Sequence, residues 1–290
     1  MESRLLSPTN DYVFKNIFGT DIEVLADLLR AILGLTEHEI LRMEIVDPGL
    51  QADAVNEKFI ILDIRVTIGK DKIIDVEIQV WKHLGFLNRG QFYLARMLTR
   101  SLKRGEGFAA LPKTISIWIT SFTIFETDDR YHHRFVMYDS EHSLEYPNGL
   151  EMHFLELPKV AGDTSNPNCR NWLNFLRSST EEEFMQAAEK SPLIARALET
   201  LRKISGNETM RMEADARERF LNDMVDSYNT GYKTGFDSGF DSGFDDGKKE
   251  GDANASRRMA LNMLADGVPI EKILRYTGMT SEQLAALQAS

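Results

Sequence analysis

Four residues in the first third of the chain have types and spacings that could gather a metal ion. Asp75, Glu77 and Gln79 alternate with apolar residues in IIDVEIQV (Ile73 to Val80), and Asp63 lies in the same alternation in KFIILDIRVTI (Lys58 to Ile68). Period two is the signature of a strand with one buried face. Gly69-Lys70-Asp71-Lys72 reads as a turn, so the two stretches form a hairpin. Opposed residues in an antiparallel pair have a constant index sum, and this turn allows even sums near 140. Any even sum puts Asp63, Glu77 and Gln79 on one face; at 140, Asp63 faces Glu77. Two carboxylates brought together repel unless a cation neutralises them, and a hard divalent ion with oxygen ligands would do so. The other reading is a solvated face on which Arg65 pairs with Asp75 across the strands. The pattern leaves both open. In either case Ile60, Leu62, Ile64 and Val66 with Ile74, Val76, Ile78 and Val80 form the core face. The acidic face is expected to turn outward or into a cleft.

Several elements must position these residues. Ser7-Pro8-Thr9-Asn10 reads as a helix start, with Tyr12, Val13, Phe14, Ile17 and Phe18 at helical spacing and Gly19 at the end. Asp21 caps a second helix, which Gly34 closes. Arg89 to Arg104 reads as a third, with an apolar stripe of Phe92, Ala95, Leu98 and Leu102 and a basic stripe of Arg89, Tyr93, Arg96, Arg100 and Lys103. The basic stripe fits a solvated face or a nucleic-acid groove. Strands are expected at Thr114 to Phe122, His133 to Tyr138 and Leu150 to Leu157, and helices from Asn171 to about Ile204. Strands flanked by helices make an α/β core.

The 290 residues allow one domain of ordinary size plus an appendage, and 42% apolar content supports a core. The single cysteine, Cys169, excludes an internal disulfide or a cysteine metal cluster. The histidines show no paired ligand spacing; His132-His133 is read as a strand-edge loop without metal, and Glu156 and Lys159 as structural. The N-terminus lacks an apolar leader, and no run approaches the roughly 18 residues of a membrane span. A cytoplasmic protein without a membrane partner is therefore expected. The net charge of −11 argues against nucleic acid on average, but Phe86 to Lys113 carries six basic residues against the single acid Glu106.

Taken in order, these motifs resemble the PD-(D/E)XK nuclease pattern, in which an Asp and a Glu-x-Lys on neighbouring strands hold Mg²⁺ and a water. More specifically, SPTNDYVFKNIFG (Ser7 to Gly19), ILDIRV, VEIQV, the Arg89…Tyr93 helix and Glu156-Leu157-Pro158-Lys159 resemble the recombination-promoting nuclease (Rpn) family. So do the glycine-rich tail and the ending from Ile270 to Thr280, so that the resemblance spans nearly the whole chain. It implies a restriction-endonuclease-like core with a mixed sheet flanked by helices over residues 1–205. It implies Mg²⁺, with Mn²⁺ or Ca²⁺ as substitutes, ligated by Asp63, Glu77 and the Ile78 carbonyl. Asp11 matches an acidic position near the metal. Gln79 stands where many relatives have lysine, so another residue must supply the positive charge. Lys15, Arg65, Lys82 and Arg89 are the candidates, and Arg89, at the head of the basic stripe, is the choice. Tyr93, Arg96, Arg100 and Lys103 would contact DNA. The implied function is a Mg²⁺-dependent DNA endonuclease linked to recombination, mobile elements or defence. The alternatives are an RNA nuclease and a non-catalytic oligomeric assembly protein retaining the fold.

The tail raises a separate question. Glycine recurs every fourth residue from Gly231 to Gly251, and Tyr232, Phe236, Phe240 and Phe244 repeat in step. Residues 206–256 are read as a linker or, preferably, a helix packing against the same segment of another copy, although each interior glycine costs a helix about 0.5–1 kcal/mol. Residues 257–290 read as a small helical module, with Thr280-Ser281-Glu282-Gln283 as a capping box. Oligomerisation or regulation is ranked above DNA reading there, because Thr280 to Ala289 has no Lys or Arg. The expected assembly is a homodimer or higher oligomer.

Overall fold

The computed structural model describes residues 4–46, 49–50, 60–61, 63–82, 85–147, 149–163 and 165–289. The chain opens with α1 (Asp11–Phe18), α2 (Ile22–Leu33) and the short α3 (Glu37–Ile40), followed by β1 (Met43–Val46), β2 (Gly49–Leu50), β3 (Ile60–Ile61), β4 (Ile64–Ile68) and β5 (Lys72–Gln79). Next come α4 (Phe86–Arg100), β6 (Lys113–Thr120), β7 (His132–Val136), β8 (Tyr138–Asp139), β9 (Leu144–Glu145) and β10 (Leu150–Glu156). Helices α5 (Pro167–Arg177), α6 (Glu181–Ala188), α7 (Pro192–Gly206), α8 (Glu208–Ala265), α9 (Ile270–Thr277) and α10 (Ser281–Ala289) complete it. The chain divides into two compact units, residues 1–222 and 223–290.

Local chemistry sets the first boundaries. The Asn10 side chain accepts from the Tyr12 and Val13 N–H groups, and Asp21 does the same for Glu23 and Val24, so each carboxyl or amide satisfies donors that a helix start leaves over. Gly34 ends α2 in the left-handed conformation that other residues rarely adopt.

The first unit is built on a mixed six-stranded sheet ordered β1-β4-β5-β6-β10-β7. Strands β5, β6 and β10 run parallel, and the other pairs are antiparallel. Ile64, Val66, Ile74, Val76, Ile117 and Leu155 form one sheet face and pack into the main core with α1, α2, α5 and α7. Helix α4 covers the other face: Leu94 and Met97 meet Ile73, and Phe86 meets Trp118 and Phe154. Gly90 makes that close approach possible, since a Cβ there would lie 2.9 Å from Met152 Cε and 3.4 Å from Trp118.

Several expectations change. The stretch from Lys58 to Ile68 is interrupted at Asp63, which sits in a bend; Lys58, Phe59 and Leu62 lie outside the described residues. The acidic face of β5 is neither outward nor solvated: Asp75 and Glu77 are buried. Because α4 covers that face, both sides of β5 are interior, as a central strand next to a parallel neighbour requires. Helix α4 starts at Phe86 and ends at Arg100, leaving Lys103 in the following loop. Its buried face is Phe86, Gly90, Leu94 and Met97; Phe92 and Ala95, expected in the apolar stripe, are exposed. Within the basic stripe Arg89, Tyr93, Arg96 and Arg100 are half-buried, and Lys103 is exposed. His132 and His133 lie in the edge strand β7 rather than a loop.

The first turns of α8 belong to the first unit. Ala214 is buried in the main core, and its carbonyl accepts from Asn10 Nδ2 at 3.1 Å. The compact unit therefore runs past 205 to Asn222. In the second unit, the glycine repeat lies within α8, and Tyr232, Phe236, Phe240 and Phe244 stack as an exposed ladder with centroids 6.3–6.4 Å apart. Ala260, Ile273 and Leu284 form a small separate core that joins the end of α8 to α9 and α10.

Candidate active site

The β4–β5 register has an index sum of 140, with Arg65 opposite Asp75 and Ile64 opposite Val76. One step beyond this ladder, at the bend, Asp63 meets Glu77. The Asp63 N–H donates to Glu77 Oε1 at 3.0 Å, and the Ile78 N–H donates to Asp63 Oδ2 at 2.9 Å. Each carboxylate thus grips the backbone of the opposite strand end. Gln79 closes β5 level with Thr120 and Glu156. The site therefore sits at the carboxyl ends of three parallel strands, where open α/β sheets place ligands.

Three carboxyls share this corner. Burial is the main cause pushing each of Asp63, Asp75 and Glu77 above the ordinary carboxyl range. The Asp63 charge adds to the rise at Asp75 and Glu77. Three cations oppose it: Lys15 Nζ lies 2.9 Å from Asp63 Oδ1, Arg89 Nη2 lies 3.8 Å from Glu77 Oε2, and Arg65 stands opposite Asp75 on β4. Asp75 Oδ2 accepts from Ser116 Oγ at 3.1 Å, and Ser116 Oγ in turn accepts from Trp118 Nε1 at 2.8 Å. Asp75 Oδ1 is buried and receives no donor. The Asp75 side chain also pairs with the Glu77 carboxyl, a contact between two acids that needs a shared proton or a cation.

Arg89 is held in place by its surroundings. Its guanidinium carbon lies 5.4 Å from the ring centroids of both Tyr93 and Trp118, and Nη2 donates a short hydrogen bond to Gln79 Oε1. With its oxygen so engaged, Gln79 retains its NH₂ as a donor. A charged guanidinium thus stands directly behind the neutral amide.

The fold brings Asp63, Glu77, the Ile78 backbone, Gln79 and Arg89 together, with Lys15 added from α1. Asp11 lies 4.0 Å from Lys15, adds its charge to the rise at Asp63, and is itself bound by Arg217 Nε at 2.6 Å. Lys82 turns away to the Thr123 carbonyl at 3.2 Å. Tyr93 packs against Trp118, with centroids 5.9 Å apart. Arg96 and Arg100 continue along α4 away from this corner, with Lys103 in the loop beyond them. Asp75, which the solvated-face reading paired with Arg65, is fully buried. Sequence reasoning did not single out Ser116, Trp118 or Arg217; a serine and a tryptophan in an apolar strand carry no site signal. Nor did histidine spacing reveal the Glu151–His153–His132 chain, with contacts of 2.6 and 2.7 Å, because strand pairing creates it. Among the described residues, no group of three or more His, Cys, Asp or Glu side chains forms a ready ion cage.

A family model described as PD-(D/E)XK nuclease family transposase matches residues 8–231. The chain belongs to this family. A second model, the C-terminal helix-turn-helix (HTH) domain of the Rpn/YhgA-like nuclease family, matches residues 253–289. No curated protein and no solved structure gives a match. The family assigns a nuclease-type function and places the first unit's sheet among restriction-endonuclease-like folds. The second match agrees with the local geometry. Helices α9 and α10 are joined through a short turn opened by Gly278 at φ +67, and Thr280 and Gln283 cap each other's backbone N–H groups at 3.2 and 2.9 Å. The module earlier ranked as oligomeric or regulatory is thus of helix-turn-helix type. Among the described residues, no helix is long and apolar enough to cross a membrane.

Proposed function

We propose that the chain is a Mg²⁺-dependent DNA endonuclease whose centre is Asp63, Glu77 and Gln79, with Arg89 supplying the charge that a motif lysine would carry. The observation that carries this reading is the surplus of buried carboxyl oxygen at one strand end, including the donorless Asp75 Oδ1. Such an all-oxygen set fits a hard divalent ion, which needs only one or two carboxylates and otherwise keeps its waters. Asp63, Glu77 and the Ile78 carbonyl would hold it. A bound Mg²⁺ would polarise the scissile phosphate and lower the pKa of a coordinated water.

The protein groups do the rest. The Gln79 NH₂, fixed by Arg89, donates to the attacking water or to a phosphate oxygen. Arg89 offsets charge developing on the phosphate and, stacked on two rings, loses little freedom in doing so. Arg96 and Arg100 on α4 and Lys103 in the loop after it contact backbone phosphates, which orients the duplex without reading its sequence. DNA rather than RNA is favoured because residues 253–289 match a helix-turn-helix domain, a fold that enters the DNA major groove. We place the activity in recombination, mobile elements or defence, in a cytoplasmic homo-oligomer joined through the second unit.

Incubation of supercoiled plasmid with Mg²⁺ tests the reading. The wild type should nick or linearise it, and Asp63→Ala and Glu77→Ala should not. Undiminished cutting by either variant would sink the assignment.

A further inference from the structure

One oxygen of Asp11 faces two cations. Asp11 Oδ2 lies 2.6 Å from Arg217 Nε and 4.0 Å from Lys15 Nζ, and Asp11 Oδ1 accepts the Tyr12 N–H at 2.9 Å. The Lys15 ammonium therefore sits between two carboxylates but nearer to Asp63, at 2.9 Å. That preference needs a cause. Asp11 and Lys15 are four residues apart on α1, a spacing at which acid and base pair unaided. Asp11 is also buried, where an uncompensated carboxylate attracts a cation strongly. The Arg217 guanidinium already occupies Asp11 Oδ2.

Arg217 reaches this point from α8, whose first turns are anchored independently of it. Ala214 is buried, its carbonyl accepts from Asn10 Nδ2, and Arg211 Nη1 donates to the Arg4 and Ser205 carbonyls, each at 3.0 Å. The Arg217–Asp11 pair is thus an addition to the docking of α8 on α1, and its effect falls on charge placement.

We propose that Arg217 is a positioning residue of the nuclease site: by occupying Asp11 it keeps the Lys15 ammonium on Asp63. Removing the guanidinium hands Lys15 to Asp11 and leaves Asp63 without its counter-ion. Residues more than 150 positions apart in sequence are thereby joined in one chain of charge, Arg217–Asp11–Lys15–Asp63, that ends on the site. The proposal deepens the nuclease reading only in what it implies for Asp63; the charge arrangement itself does not depend on that reading.

A double-mutant cycle on the full chain in chelator tests it. The coupling between Lys15→Met and Asp63→Asn is measured by urea unfolding, first with Arg217 present and then in Arg217→Met. The cycle subtracts any uniform loss of α8 docking, so a merely structural role for Arg217 leaves the coupling unchanged. The expected result is a fall to less than about a third of its original value in Arg217→Met, since neighbouring charges couple only while in contact. Adding Asp11→Asn, which removes the competing carboxylate, should restore it, and Arg217→Lys should retain it. Equal coupling with and without Arg217, or no recovery with Asp11→Asn, overturns the proposal. Because the cycle is run without metal, failure of the chain to take up Mg²⁺ would count against the nuclease reading alone.

Discussion

Replacing Arg89 with methionine keeps an unbranched apolar stem and removes the guanidinium with its charge. At 3.8 Å from Glu77 and an effective dielectric constant of about 20, the Coulomb attraction has a ceiling of about 4 kcal/mol. The Arg89 side chain is 31% exposed, so screening brings the pair to about 2 kcal/mol. The two ring contacts add about 0.5–1 kcal/mol each, which methionine only partly replaces. The metal-free variant should thus lose about 2–3 kcal/mol at pH 8. The sign of the pH dependence follows from Glu77, whose pKa is raised by burial and by its acidic neighbours and restrained by Arg89. Without Arg89 it rises further. A carboxyl whose folded pKa is raised favours the folded state at low pH and loses that contribution as pH climbs through the folded value. The destabilisation should therefore be smaller at pH 5.5 than at pH 8, read by urea unfolding in chelator. Plasmid cleavage with Mg²⁺ should fall by about 10²–10³-fold, the usual effect of losing one preorganised charge stabiliser. Equal stability loss at both pH values, with cleavage within about threefold of wild type, would refute the role given to Arg89.

Three further outcomes are expected. Burial and the neighbouring His153 push His132 down to about 4, so the unfolded chain binds its proton first as pH falls from 6.5. Stability should drop by at most about 3 kcal/mol between pH 6.5 and 4, and His132→Gln should flatten that slope in urea melts at successive pH values. Burial pushes the Cys169 thiol up to about 12, so iodoacetamide should label it only on unfolding, as followed by mass spectrometry. A chain ending at Asn222 should sediment as a monomer while the full chain sediments as an oligomer; a dimer from the shortened chain would remove the second unit as the interface.

The β-hairpin was legible because its alternation is strict, and its parity alone put Asp63, Glu77 and Gln79 on one face. What parity could not give was burial. An alternating strand reads as half-exposed, and only the position of α4 over Ile73 and Trp118 makes the acidic face interior. The α4 stripe was misjudged for a related reason. Gly90, which has no side chain to count as apolar, is the point of closest approach, so the buried face is rotated from the one the large residues suggested. Caps at Asn10, Asp21 and Thr280 were readable from a few adjacent residues, since their hydrogen bonds are local. Lys15 could be named as a cation without its partner. The Arg217–Asp11 contact and the Glu151–His153–His132 chain join distant segments, and no periodicity encodes them.

In the proposed mechanism Asp63 and Glu77 act as one centre. Single-turnover cleavage of supercoiled plasmid at saturating Mg²⁺ by Asp63→Asn, Glu77→Gln and the double variant measures this most directly. Residues of one catalytic unit are non-additive, so the double variant should be no slower than either single one, and all should be at least about 10³-fold below wild type. Single variants that retain near-wild-type rates, or losses that add in the double variant, would contradict it.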